Sequence, residues 1–268
     1  MRLRVSAVNY LNTWPLVWGF LHGPGRGRFD FRFDSPAECA RALADGEADI
    51  GLAPCAEIDR LGLSFLPDVG IACTGPVRSI LLVSKRPFGE IRTLAADSSS
   101  RTSVALAQIL LGERYGCFPE VVSRPPSLAD MMGECDAALI IGDPALRIRR
   151  EEIEWQSLDL GEEWVRWTRL PMVFAVWCGK EWALTDEVRE AFVESYRWGA
   201  NHADEIVERA LRERGFAADI ARDYVTHRIS YELTDRHREG LNLFRTKVRE
   251  LDLRASGPSR LERHTGMV

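Results

Sequence analysis

This chain of 268 residues is poor in the features that usually announce a chemistry. It has no apolar run of about eighteen residues, so it offers no membrane-spanning helix. Its six cysteines (Cys39, Cys55, Cys73, Cys117, Cys135, Cys178) form no CxxC pair. That excludes the usual zinc and disulfide frameworks and predicts buried free thiols. A basic excess is also missing. The net charge of −5 argues against a general nucleic-acid binder and leaves room only for a local basic pocket. The five histidines (His22, His202, His227, His237, His264) avoid the middle of the chain and show no ligand spacing. No GxSxG elbow, Walker loop, HExxH or strand-borne GxGxxG occurs. The glycine-rich run 23–27 contains Pro24 and precedes a strand pattern, so it reads as a surface turn. No metal and no cofactor are expected. Residues 1–6 run straight into a strand pattern, with polar Asn9 and Asn12 where a leader would be apolar. The expected location is therefore the cytoplasm.

What is present is ordinary globular material, 46% hydrophobic and 28% charged, with one repeated phrase. Gly46-Glu47-Ala48-Asp49-Ile50-Gly51-Leu52-Ala53-Pro54 is echoed by Gly133-Glu134-Cys135-Asp136-Ala137-Ala138-Leu139-Ile140-Ile141-Gly142. Each copy reads as a helix end, a turn, a buried strand and a Gly/Pro corner. Two such units suggest two α/β lobes facing one cleft, where a small ligand would sit. Chance similarity between ordinary α/β units is the plainer alternative.

Strands are predicted at 5–8, 29–33, 49–52, 71–73, 79–84, 93–96, 121–122, 137–141 and 171–178. Ser35-Pro36-Ala37-Glu38 starts a helix with a capping box, and Thr185 and Thr234 cap helices near the C-terminus. An acidic, aromatic loop is expected after 155–160, and a loose tail beyond Leu253. Trp155, Trp164 and Trp167 look exposed, as interface or hinge residues. The order predicts lobe one from 1–86 and 173–268, lobe two from 87–172, and a helical C-terminal region. Two crossings, near Lys85-Arg86-Pro87 and Leu170-Pro171, would permit hinge closure. A single doubly wound sheet is the competing architecture.

Anion-binding machinery is visible at one corner. Ser98, Ser99, Ser100, Arg101, Thr102 and Ser103 cluster where a strand hands over to a helix. Free N–H groups, the helix dipole and the hydroxyls there suit a carboxylate or phosphate. Plain N-capping needs only one of them. Asn12 follows the first strand, at the crevice where open α/β sheets hold ligands, and could also simply shape the turn. Arg78-Ser79 stands at the entrance of the apolar run 80–83.

The run Val5-Ser6-Ala7-Val8-Asn9-Tyr10-Leu11-Asn12-Thr13-Trp14-Pro15-Leu16 resembles the opening of the chorismate dehydratases, which act first in the futalosine route to menaquinone. The likeness continues through 46–54, Gly75-Pro76-Val77-Arg78-Ser79-Ile80, Ser99-Ser100-Arg101-Thr102-Ser103, 138–143 and Leu170-Pro171-Met172-Val173-Phe174-Ala175. It spans most of the chain, in order. It implies a type II periplasmic-binding-protein-like fold used as a cytoplasmic lyase on a small dicarboxylate, chorismate, with no nucleic-acid or membrane partner. It further implies Asn12 and Ser79 at the reacting centre. Ser99, Ser100, Arg101 and Thr102 would clamp carboxylates, with Arg78, Gly142 and Asp143 nearby. Asp143 is equally a helix cap before Pro144. A solute-binding protein and the related dihydroxynaphthoate synthase are the rivals; the latter requires a catalytic histidine that the middle of this chain lacks.

Overall fold

The computed structural model describes residues 2–97 and 100–256. Its strands are β1 (Arg4–Val8), β2 (Asp30–Asp34), β3 (Ile50–Pro54), β4 (Ser64–Cys73), β5 (Ile80–Ser84), β6 (Thr93–Ala96), β7 (Glu120–Ser123), β8 (Ala137–Ile141), β9 (Gln156–Asp159), β10 (Met172–Gly179) and β11 (Ser230–Glu232). They form two sheets, ordered β11-β4-β10-β3-β1-β2 and β7-β6-β8-β5-β9. This is the two-lobed α/β arrangement, and the single-sheet alternative falls.

The echoed phrase occupies equivalent places. β3 lies between parallel β1 and antiparallel β10, and β8 lies between parallel β6 and antiparallel β5. Both are buried along their whole length, as strands covered on two faces must be. The carboxyl ends of these strands meet across a shared cleft, because Pro54 and Ile141 line the same cavity.

One boundary needs correction. A division at 86/87 would place 80–84 in the first lobe, whereas β5 pairs with β8 and β9 of the second sheet. The first crossing therefore lies between Cys73 and Ile80. Pairing overrides sequence position here: an apolar five-residue strand fits either sheet, and register against Ile141 and Asp159 selects one. The chain returns to the first sheet at Met172.

Local signals set most elements. Ser35 and Glu38 form the expected capping box, and Thr185 accepts from the Val188 N–H. The expected loop after 155–160 is instead helical over Leu160–Thr168, started by Asp159, which accepts from the Glu162 N–H at 3.0 Å. Trp164 is fully buried, not exposed. Its indole donates to the Pro171 carbonyl at 3.2 Å and meets Phe244 edge-on, tying the return crossing to the C-terminal helix. Trp155 and Trp167 are half-buried. That last helix runs over Asp235–Ser256, past the expected tail start. All six cysteines are buried free thiols.

The turn carrying Asn12 is held from behind. Helix Trp14–His22 packs against helix Asp186–Asn201 so closely that a Cβ on Gly199 would lie 2.1 Å from the Pro15 carbonyl oxygen. Ser195 accepts from the Phe20 N–H and donates to the Leu16 carbonyl.

Candidate active site

A cavity with about 570 Å³ of empty space, its open mouth included, lies between the two sheets. Asn12, Ser79, Ser100, Thr102 and Gly142 line it, together with Tyr10, Thr13 and Ser103. Its remaining walls are apolar, including Leu52, Ile71, Ile141 and Phe174.

Asn12 sits in a short 3-10 turn, Leu11–Thr13, just after β1. Ser79 is 3% exposed and opens β5, with its carbonyl accepting from the Gly142 N–H at 2.8 Å. Two features aim it. Arg78 holds a left-handed backbone, φ 64°, a conformation costly for a non-glycine residue. The Asp159 carboxylate accepts from the N–H groups of Val77 (3.1 Å) and Arg78 (2.6 Å) and so fixes the kink. Burial raises the carboxyl of Asp159, against the pull of those backbone donors.

Asn12 and Ser79 are joined by a residue that the sequence reading missed. Tyr224, 1% exposed, accepts from the Asn12 amide nitrogen at 3.0 Å and donates to Ser79 Oγ at 2.7 Å. Burial pushes its phenol well above the ordinary tyrosine range. Tyr224 lies in the C-terminal helical region, far from any motif, so no spacing could have found it. Thr13, next to Asn12, is a second such residue. It is fully buried, and its hydroxyl has no partner among the described residues. A buried hydroxyl facing a cavity without a partner is a position for a ligand's polar atom.

On the opposite wall, Ser100 caps helix Arg101–Tyr115, accepting from the Ser103 N–H at 3.4 Å and donating to Ser103 Oγ at 2.8 Å. Thr102 Oγ1 accepts from the Ala56 N–H at 3.1 Å, bridging the lobes. Ser99 lies outside the described residues. Gly142 is required on two counts. Its φ is +62°, and a Cβ would lie 2.7 Å from the Tyr10 ring.

Three expected site residues are placed elsewhere. Arg101 turns away from the cavity and pairs with Glu57 at 2.9 Å, whose carboxylate is 2% exposed. The pull is electrostatic: a buried carboxylate needs a partner more than an open pocket does. Arg78 pairs with Asp223 at 3.3 Å. Asp143 accepts from the Leu11 N–H at 3.0 Å and pairs with Arg214, so it fastens one lobe to the other. The cavity lining therefore holds no charged side chain among the described residues. Neutral donors and a 15-residue helix's positive end would hold an anion there. No cluster of His, Cys, Asp and Glu side chains suited to a metal ion occurs among the described residues.

The menaquinone-biosynthesis family profile matches residues 3–250. The chain belongs to that family. It is 30% identical over 229 residues to the chorismate dehydratase of Thermus thermophilus, covering 78% of this chain and 83% of that protein. Among solved structures, a protein from Archaeoglobus fulgidus superposes with a TM-score of 0.75 at 17% identity, covering 94% of this chain and 98% of that one. The periplasmic aliphatic sulphonate-binding protein of Escherichia coli gives 0.67 at 14% identity, covering 97% and 89%. A Candida albicans protein described as having the generic periplasmic-binding-protein fold gives 0.60 at 13%, covering 98% and 100%. These likenesses show the fold alone, that of the periplasmic binding proteins. No helix of the described residues is long and apolar enough to cross a membrane.

Proposed function

We propose that this chain converts chorismate into 3-[(1-carboxyvinyl)oxy]benzoate and water on the futalosine route to menaquinone. The family membership and the dehydratase relative support the reaction. The observation that carries it here is the convergence of Asn12 and Ser79, from different lobes' strand ends, on one hydrogen-bonded phenol beside the cavity.

The reaction removes the C3 proton and the C4 hydroxyl and makes the ring aromatic. The C3–H electron pair becomes the new ring double bond as the C4–O bond breaks, and the departing hydroxide leaves as water. Among the described residues the lining offers no carboxylate, imidazole or amine to take the proton. An unactivated serine is a poor base at neutral pH. The proton is therefore assigned to the substrate's own enolpyruvyl carboxylate, which hangs from C3 and hands it on to the departing hydroxide, so that one water leaves and the carboxylate is regenerated. Ser79 donates to the departing C4 oxygen, Asn12 to a substrate oxygen. Thr102 and the free N–H groups in the first turn of helix Arg101–Tyr115, which Ser100 caps, receive the remaining carboxylate. Catalysis of this kind comes from positioning and from donors aimed at developing charge. Six free thiols suit a reducing compartment, and we place the protein in the cytoplasm.

The test is direct. Purified protein given chorismate should release the aromatic product, and Asn12→Ala and Ser79→Ala should each lower kcat by about a hundredfold or more. Wild-type-like turnover by both variants would overturn the assignment. Product should also raise the melting temperature by binding the folded form. Binding without any turnover would support a capture-only role like that of the sulphonate-binding neighbour.

A further inference from the structure

Resting on the dehydratase reading, we infer that Tyr224 is a positioning residue that turns Ser79 into a hydrogen-bond donor toward the substrate. An amide nitrogen can only donate, so the bond from Asn12 Nδ2 occupies the phenol oxygen as an acceptor. The single phenol hydrogen then goes to Ser79 Oγ. Ser79 accepts on that side, its own hydrogen has no acceptor among the described residues, and the residue faces the cavity. The resulting chain runs one way, from Asn12 through Tyr224 to Ser79 to the substrate. Such chains polarise each successive donor. A hydroxide leaving C4 gathers negative charge as its bond breaks, and a donor polarised in advance stabilises that charge without reorganising.

The surroundings hold this geometry in place. Tyr224 begins a π-helical turn, Tyr224–Arg228, a rare irregularity concentrated at functional sites. The preceding residue, Asp223, is gripped by Arg228 at 2.8 Å and by Arg78 at 3.3 Å. The consecutive pairs 78–79 and 223–224 are thus bound twice, by an ion pair and by the phenol–serine hydrogen bond. This gives Arg78, expected near the substrate, a different duty: it keeps Tyr224 in register with Ser79. Burial keeps the phenol neutral through the whole physiological range, so it can accept and donate together.

The test compares Tyr224→Phe in two backgrounds. In the otherwise native chain, kcat should fall about tenfold to a hundredfold, with KM moving less than about threefold. In a Ser79→Ala background the same change should cost less than about twofold, because the group it acts through is gone. A variant within about twofold of native kcat overturns the inference, and so does an equal loss in both backgrounds, which marks simple packing. If Tyr224→Phe fails to fold, 3-fluorotyrosine at position 224 keeps the ring and strengthens the donor. A kcat change in the native background that disappears in Ser79→Ala supports the inference, and an unchanged kcat overturns it. Native protein that never turns chorismate over overturns the dehydratase reading and takes the inference with it, whereas an active native protein with an indifferent Tyr224→Phe overturns the inference alone.

Discussion

Replacing Asp143 separates a structural latch from a substrate contact. Its carboxylate is 11% exposed and receives the Leu11 N–H at 3.0 Å and the Arg214 guanidinium, itself 17% exposed. Asp143→Ala leaves the fully buried Leu11 N–H without a partner, which costs about 1–3 kcal/mol. Breaking a buried ion pair by removing one partner costs about 3–5 kcal/mol. Arg214 keeps its bonds to the Asn9 carbonyl (3.1 Å) and the Asn9 side chain (2.6 Å), so the lower end applies. These losses overlap, and together they amount to about 3 kcal/mol. For a chain of this size that lowers the melting temperature by roughly 6–12 °C. Asp143→Asn retains an oxygen for Leu11 and should lose about half as much. The assay is a thermal melt, paired with kcat measured well below the transition. Both variants should keep kcat within about threefold of native once folded. A melting temperature that shifts by less than about 2 °C in Asp143→Ala would refute the latch. A stable Asp143→Asn that loses more than about tenfold in kcat would return Asp143 to the chemistry.

Arg101→Ala should leave kcat and KM within about threefold, because the guanidinium serves Glu57 and not the cavity; a KM rise above about tenfold would put it back in the carboxylate clamp. Acid stability offers a separate check. The Arg4 side-chain hydrogen bonds hold the Asp49 carboxyl below its ordinary range, so its folded pKa lies under its unfolded one. Its contribution is complete above about pH 4 and is lost as pH falls through the lowered folded value. Asp49→Asn should therefore flatten the loss of melting temperature below pH 4, and a curve parallel to the native one would contradict this.

Much of the architecture was legible because it depends on local pattern. Apolar runs such as 137–141 can only be strands buried on both faces, and Ser35 with Glu38 can only open a helix. The echoed phrase marked the two strands whose ends meet at the cavity, since both lobes repeat one strand-helix-strand order. The ordered motifs placed the family, and Asn12, Ser79, Ser100 and Thr102 do line one cavity. Helix Leu160–Thr168 was hidden by its charges, because its apolar stripe is carried mainly by Leu160 and Trp164.

By itself, then, the sequence determined the class of fold, the two facing lobes and four of the residues that line the cavity between them. Those follow from periodicity, caps and corners, which are written within a few residues of one another. Only the tertiary structure decided which sheet takes 80–84, where Arg101 and Asp143 spend their charge, and that Tyr224 stands between Asn12 and Ser79. Each of those is a contact between residues far apart in the chain. Burial and the competition among partners select such contacts, and neither exists until the chain has folded.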